Sequence, residues 1–188
     1  RSRGLGDVYK RQIGIFEFTR PLLWPFTLGL LEKIGLPIIT SGRILTLFLS
    51  IGTIYFTYSI GKEIFSKRVG ALAAIILAFT PTYFFFTYRL YNHIPAVFLS
   101  VLAIWVYLKK KDHYGVFIAG LILAAAFQTR FPQGAFVGAF MLFFLVQAAV
   151  ANRNNALIDA FFMGSGFLIG LLPTIVFNSA VFGDALFQ

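Results

Sequence analysis

The sequence contains no cysteine, two histidines and seven acidic residues among its 188 positions. The absence of cysteine excludes disulfide bonds, thiolate nucleophiles and zinc sites with cysteine ligands. Two histidines cannot by themselves enclose a metal ion. Charged residues make up only 12% of the chain, about half the usual share for a soluble domain. This scarcity of charge argues against an ordinary water-soluble fold.

Apolar residues are correspondingly abundant. They form 59% of the chain, and phenylalanine alone contributes 24 residues. A soluble domain has roughly 45 to 50% apolar residues even when glycine is counted. A globule of the present composition would expose large apolar patches to water. We therefore expect the protein to be embedded in a lipid bilayer, which is its first predicted partner.

The first twelve residues differ in character from the rest. Residues 2–12 read SRGLGDVYKRQ, which matches the translation of a transposase adapter used to fragment DNA for sequencing. A basic juxtamembrane tail is the alternative. We interpret residues 1–12 as an adapter scar and exclude them from the fold. Because the chain begins without an initiator Met and ends in Phe187 and Gln188, we expect the native part to be a fragment, truncated at both ends.

Six apolar stretches approach the roughly 20 residues that a helix needs to cross a bilayer. The long run from 114 to 150 is divided in two because Arg130 and Pro132 interrupt it. The sequence therefore predicts an all-α fold, a polytopic transmembrane helical bundle of about six spans plus an interfacial helix, with residues 41–188 forming the membrane domain. The predicted spans are 41–60, 69–87, 94–108, 114–128, 132–150 and 156–176.

Residues 13–40, before the first span, are less uniformly apolar. They include Trp24, several prolines and the adjacent pair Glu32 and Lys33. Tryptophan and charged side chains are stable at the headgroup boundary and unfavourable in hydrocarbon. We therefore predict an extracytoplasmic interfacial or re-entrant segment here, with a short seventh span as the alternative.

The formal net charge of +9 is distributed unevenly. Without the adapter residues, 12 basic and 6 acidic residues leave +6. Seven of the basic residues lie in three short loops, 61–68, 109–113 and 151–155. Lys and Arg concentrated in short loops mark the cytoplasmic side of a membrane protein. We therefore place these loops in the cytoplasm and expect no nucleic-acid partner.

Arginines on the opposite, extracytoplasmic side are single rather than clustered. Their simplest role is snorkelling toward the lipid headgroups. However, an ionisable residue at the membrane boundary is costly and often functional, and a guanidinium group binds phosphate in a bidentate geometry. The candidate ligands for a lipid phosphate are Arg89, Arg130, Arg20 and Arg43.

Polar residues next to Arg89 are candidate substrate-binding groups. They are Tyr88, Asn92 and His93. Asn92 also fits the N-cap of the helix that follows it. His93 has an imidazole with an ordinary pKa near neutrality, which suits a general base, but a polar residue at a helix start is the simpler interpretation. Both interpretations of each residue stay open at this point.

Short segments along residues 16–188 occur in a recognisable order. Thr19 to Leu28 reads TRPLLWPFTL, residues 41–43 read SGR, and residues 61–74 read GKEIFSKRVGALAA. Thr80-Pro81, the AFQTR stretch ending at Arg130, and Pro173 to Asn178 followed by 182–187 (FGDALF) complete the set. In this order they resemble motifs of the GT-C membrane glycosyltransferases, which include relatives of protein mannosyltransferases and of the aminoarabinose lipid A transferase.

The resemblance implies a glycosyltransferase in the cytoplasmic (inner) membrane of a microbe. Such enzymes take a sugar from a polyprenyl-phosphate donor and pass it to an acceptor on the extracytoplasmic side, here of unassigned identity. The resemblance also adds Asn178 to the candidate substrate-binding residues. A catalytic acidic residue is expected in a loop upstream of Ile13, so we expect the fragment to be inactive. A divalent metal is compatible with the family, but Asn92 stands where a second acidic residue often lies, and no ligand set is present.

A multi-pass transporter or lipid flippase subunit would also combine several spans with few charges. Transporters commonly have inverted repeats and helices broken at the midplane, and the sequence indicates neither. A structural membrane subunit would explain the hydropathy but not the ordered segments. We therefore predict a GT-C type glycosyltransferase, with the transporter or flippase as the alternative.

Overall fold

The computed structural model describes residues 21–110, 112–151 and 155–182. Within these ranges the regular structure is helical, which confirms the all-α prediction. The adapter residues and Arg20 lie outside the described residues. The helices are α1 (Leu23–Lys33), α2 (Ile38–Ile64), α3 (Lys67–Phe79), α4 (Pro81–Thr87), α5 (His93–Lys109), α6 (His113–Thr129), a 3₁₀ turn (Phe131–Gln133), α7 (Gly134–Val150) and α8 (Asn155–Phe182).

The number of membrane-crossing helices is lower than predicted. Among the described residues, α2, the stretch Phe131–Val150 and the Asn155–Ala180 part of α8 are long and apolar enough to cross a bilayer. The bent pair of α3 and α4 adds a fourth if it counts as one span. Helices α5 and α6 have 17 residues each, about 26 Å of helix against a hydrocarbon core of about 30 Å. The count of six spans is therefore wrong by this measure, although all six predicted segments are helical.

The second predicted span, 69–87, is broken rather than straight. Helix α3 ends at Phe79, α4 begins at Pro81, and the two axes differ by 65°. Proline lacks the backbone donor of a helix interior and pushes the residue before it out of the helical region, and Thr80 is accordingly extended. Pro81 then occupies the first position of α4, where its missing donor has no cost.

Helix α1 is too short to cross the membrane, with 11 residues. It ends at Lys33, and Gly35, two residues further on, has a φ of 84° in the left-handed region. The amide of Leu36 donates to the Leu31 carbonyl at 3.0 Å and that of Gly35 to the Glu32 carbonyl at 2.8 Å. This pair of bonds is a Schellman motif, which reverses the chain and satisfies the last carbonyls of the helix. The length suits an interfacial helix, and its side of the membrane stays a prediction.

Helix α6 lies at the centre of the bundle and packs against α5, α7 and α8. The core cluster around it is formed by Ala103, Val116, Ala119, Leu123, Phe144 and Met163. Glycines let α6 and α8 approach closely. A Cβ atom at Gly120 would overlap the Met163 carbonyl oxygen, and one at Gly166 would overlap the Phe117 carbonyl oxygen. Close backbone approach through small residues is how helices associate where no water drives them together.

Candidate functional site

Two hydrogen bonds gather one set of helix termini at the same end of the bundle. The Trp24 indole donates to the Leu90 carbonyl at 3.2 Å. The Asn92 amide donates to the Thr129 carbonyl at 2.8 Å. We call α1 together with residues 88–93 and 129–133 the arginine end. The two best phosphate-binding candidates from the sequence, Arg89 and Arg130, both belong to it.

An ion pair and a hydrogen bond bring other helix termini together at the opposite end. Lys109 and Glu63 approach to 2.6 Å, and His113 Nδ1 lies 2.9 Å from the buried carboxylate of Asp159. We call residues 61–67, 109–110, 112–115 and 155–159 the lysine end. The described residues of the loops predicted to be cytoplasmic lie there, at the opposite end of the bundle from Arg89 and Arg130. The side of the membrane that each end faces is still a prediction.

Arg89 lies just beyond the C-terminus of α4, where its amide donates to the Phe86 carbonyl at 3.2 Å. Its guanidinium carbon sits 4.6 Å from the centre of the Phe85 ring. This is a cation–π contact. Because a guanidinium group has about five N–H donors, contact with one ring is compatible with donation to a ligand. Arg89 is exposed, and its neighbour Tyr88 is exposed as well.

Arg130 caps the C-terminus of α6 and is half-buried. Its amide donates to the Ala126 carbonyl at 2.9 Å, and its carbonyl accepts from the Gln133 amide at 3.0 Å. The backbone of Arg130 is therefore held by the last turn of α6 on one side and by the 3₁₀ turn on the other. A side chain on a fixed backbone loses less freedom when it binds a ligand.

His93 stacks on Phe86, with 4.0 Å between the ring centres and an angle of 8° between the planes. Tyr91 meets the same two rings edge-on. The imidazole Nδ1 atom is buried and has no hydrogen-bond partner among the described residues. Burial, and secondarily the positive charge of Arg130, lower the pKa of His93 below its ordinary value of 6.5. His93 is therefore neutral at pH 7, and the positive charge of this cluster comes from the arginines.

Asn92 does not act as expected of a helix cap. It occupies the N-cap position of α5, but its side chain makes no capping hydrogen bond. The amide instead reaches the Thr129 carbonyl, 37 positions along the chain. The capping interpretation is therefore wrong: the side chain is directed to α6 by donation from its nitrogen to the Thr129 carbonyl, and its oxygen accepts from no amide at the start of α5.

The remaining sequence candidates are more dispersed. Arg43 is exposed in the second turn of α2, next to Gly42, which faces Leu90 of the arginine end. Asn178 lies one turn beyond Thr174 on α8, and Thr174 donates a short hydrogen bond to Gln128. Asn178 is therefore on the face of α8 that points toward α6. These positions do not place Arg43 or Asn178 against Arg130.

Three polar residues near the site were not selected from the sequence as functional. Gln133 is buried, and its side-chain oxygen accepts from Ser100 at 2.9 Å. Gln128 donates to the Gly170 carbonyl at 2.8 Å, and Trp24 holds Leu90 as described above. Glutamine inside an apolar run was the available signal, since a buried amide needs a partner. The partner lies far along the chain, so the sequence did not indicate which residue it is.

Within the described parts of the chain, no group of three or more histidine or acidic side chains could hold a metal ion. What the arginine end can do is bind an anion. Arg89 and Arg130 supply ten N–H donors between them by the usual count of about five per guanidinium. The Phe85 ring lies beside the Arg89 guanidinium group, and guanidinium N–H groups form charge-assisted hydrogen bonds to an anion that are about twice as strong as neutral ones.

Comparison with protein families matches residues 19–177 to a family described as dolichyl-phosphate-mannose-protein mannosyltransferase. Comparison with curated proteins and with solved structures gives no match. The family match covers most of the chain and includes both arginines of the site. It agrees with the apolar helices, because the members of this family are membrane glycosyltransferases that use a lipid-linked sugar donor. The chain therefore belongs to the dolichyl-phosphate-mannose-protein mannosyltransferase family.

Proposed function

We propose that the protein transfers a sugar from a polyprenyl-phosphate donor to an acceptor on the extracytoplasmic side of the membrane. The observation that carries the proposal is the hydrogen bond from Asn92 to the Thr129 carbonyl, at 2.8 Å. It joins the segment that bears Arg89 to the residue that precedes Arg130. Two guanidinium groups are thereby brought to one end of a bundle whose family uses lipid-linked sugars.

The chemistry of the reaction explains why arginines are suited to this position. When the sugar leaves a polyprenyl phosphate, the C1–O bond breaks and negative charge grows on the departing phosphate. Donors aimed at that charge stabilise the transition state more than the ground state. Arginine fits phosphate through two parallel N–H bonds, whereas lysine offers a single point charge. Arg89 and Arg130 are therefore proposed to bind the donor phosphate, with Tyr88 and His93 beside the sugar.

Arg43 and Arg20 are secondary candidates for the same phosphate. Arg43 lies near the Leu90 side of the arginine end, and Arg20 falls outside the described residues. In this proposal Arg43 contributes long-range attraction for the anionic headgroup. Screening at physiological salt limits such attraction to about 8 Å, so the loss of Arg43 should matter less than the loss of Arg130.

The test of the proposal is sugar transfer by membranes that contain the full-length protein, with polyprenyl-phosphate mannose as the donor probe. We expect Arg130→Ala to reduce turnover roughly ten- to a hundredfold, because a hydrogen bond to a charged group contributes about 1.5 to 3 kcal/mol. Arg130→Lys should retain part of the activity. The matched control is Arg68→Ala, which removes an exposed arginine near the lysine end. Equal turnover of Arg130→Ala and Arg68→Ala, at equal protein levels, would contradict the proposal.

The proposed orientation has its own test, which uses the absence of cysteine in the chain. Tyr88 at the arginine end and Tyr114 at the lysine end are 70% and 64% exposed. A single cysteine at 88 should react with a membrane-impermeant maleimide from outside the cell. A single cysteine at 114 should react only after the membrane is permeabilised. The reverse pattern would show that the two ends are assigned to the wrong sides.

A further inference from the structure

We infer that Asn92 is a positioning residue that sets the separation between Arg89 and Arg130. The inference rests on the proposed function in one respect, namely that these two arginines bind a common phosphate. Asn92 itself is not proposed to touch the substrate. Its amide is already bound to the Thr129 carbonyl at 2.8 Å.

The acceptor of this bond is a carbonyl that the helix leaves unsatisfied. Thr129 is the last residue of α6 and is buried, with 1% of its surface exposed. The final carbonyls of a helix have no partner within the helix, and a buried carbonyl without a donor is costly. The Asn92 amide supplies that donor from outside the helix. The bond therefore has a structural reason to persist, and it fixes the chain immediately before Arg130.

A second bond fixes the same segment from the other side. Trp24 is buried, and its indole donates to the Leu90 carbonyl at 3.2 Å. The Leu90 side chain fits against Gly42, where a Cβ atom would lie 2.6 Å from it. Between them, Trp24 and Asn92 hold Leu90 and the start of α5. Arg89, which immediately precedes Leu90, is therefore placed by these contacts in addition to its own contacts with Phe85 and Phe86 of α4.

Asn92 is the part of this arrangement that links the two arginines. Trp24 connects the Arg89 segment to α1, whereas the Asn92 bond connects that segment to the last residue of α6. Two groups that grip one phosphate must be held at a fixed distance, and an error of about 1 Å in such placement can cost up to a hundredfold in rate. Loss of the Asn92 amide should therefore weaken phosphate binding even though Arg89 and Arg130 are both present.

The first test measures geometry and does not depend on activity. Spin labels are attached to cysteines replacing Tyr88 and Phe131, in a chain with no other cysteine, and dipolar EPR is recorded in phosphatidylcholine nanodiscs. Asn92→Ala should broaden the distribution of distances between the labels. Asn92→Gln keeps the donors on a longer stem and should shift the mean distance instead. The matched control is Ser179→Ala, an exposed hydroxyl bonded to its own helix, which should change neither quantity. Unchanged distributions in both Asn92 variants would overturn the inference.

The second test is a double-mutant cycle on the binding of polyprenyl phosphate. If Asn92 acts by placing Arg130, then Asn92→Ala should weaken binding severalfold in the native background and by less than about twofold when Arg130 is already alanine. Equal losses in the two backgrounds would overturn the positioning role. If polyprenyl phosphate does not bind the native protein, the proposed function fails. The EPR result then decides separately whether Asn92 sets the distance.

Discussion

Helices α6 and α8 are held together by glycines, and replacing one of them should push the pair apart. Gly170 on α8 faces Ala124 on α6, and a Cβ atom at position 170 would lie 2.5 Å from the Ala124 Cβ. Ordinary contacts of a Cβ atom begin at 3.4 Å, so Gly170→Ala requires a separation of about 1 Å. The Ala124 methyl group is attached directly to the backbone and cannot rotate away.

The expected change in the free energy of unfolding follows from two opposing contributions. Forcing a methyl group into a packed interface costs about 1 to 3 kcal/mol, while replacing a helical glycine by alanine gains roughly 0.5 to 1 kcal/mol. Separation of the helices also weakens the bond from Gln128 to the Gly170 carbonyl, now 2.8 Å long. We expect Gly170→Ala to destabilise the protein by about 1 to 2 kcal/mol.

The control is Gly138→Ala, because a Cβ atom at that position meets nothing within 4 Å. This substitution increases helix propensity without causing a steric clash. The variant should be as stable as the native protein or up to about 1 kcal/mol more stable. Stability is measured by thermal unfolding in the same detergent for both variants. A melting temperature of Gly170→Ala equal to or above that of Gly138→Ala would refute the close packing of α6 on α8.

Two further predictions concern the arginine end and its support. Tyr83→Phe should lower the free energy of unfolding by about 1 to 3 kcal/mol, because the buried hydroxyl donates to the Ser50 carbonyl at 2.9 Å and accepts from the Ser50 hydroxyl at 3.1 Å. The control is Tyr88→Phe, at an exposed ring. Equal unfolding temperatures of the two variants would count against the contact between α2 and α4. Because the pKa of folded His93 lies below 6.5, the unfolded state takes up its proton first, so stability should fall as the pH drops below about 6.5. His93→Gln should make stability less dependent on pH in that range, and an unchanged dependence would show that His93 keeps an ordinary pKa.

The helices could be predicted from the sequence because hydropathy is a local property. Each of the six predicted segments contains helix, and the break at Pro132 was predicted, whereas the break at Pro81 within the predicted span 69–87 was not. The number of spans was less predictable. It depends on where each helix stops, and α5 and α6 have only 17 residues each, with Asn92, Asp112 and Arg130 among the polar residues at their ends.

The sequence suggested candidate site residues but not their arrangement. Single arginines and polar neighbours selected Arg89, Arg130, Asn92 and His93 as candidates, and their roles stay predictions. The sequence did not indicate that Asn92 would bond to Thr129 rather than cap its own helix. Both outcomes satisfy an asparagine amide, and the choice between them is made by the approach of α5 to α6. Contacts between residues 37 positions apart are set by the fold as a whole.

The most direct test of the central claim is the binding of polyprenyl phosphate to the arginine end. Native mass spectrometry of the detergent-solubilised full-length protein can compare this lipid with polyprenol, which has the same tail without the phosphate. We predict that the native protein prefers polyprenyl phosphate, that Arg130→Ala removes most of that preference, and that Arg68→Ala leaves it intact. Retention of the full preference in Arg130→Ala would contradict the account.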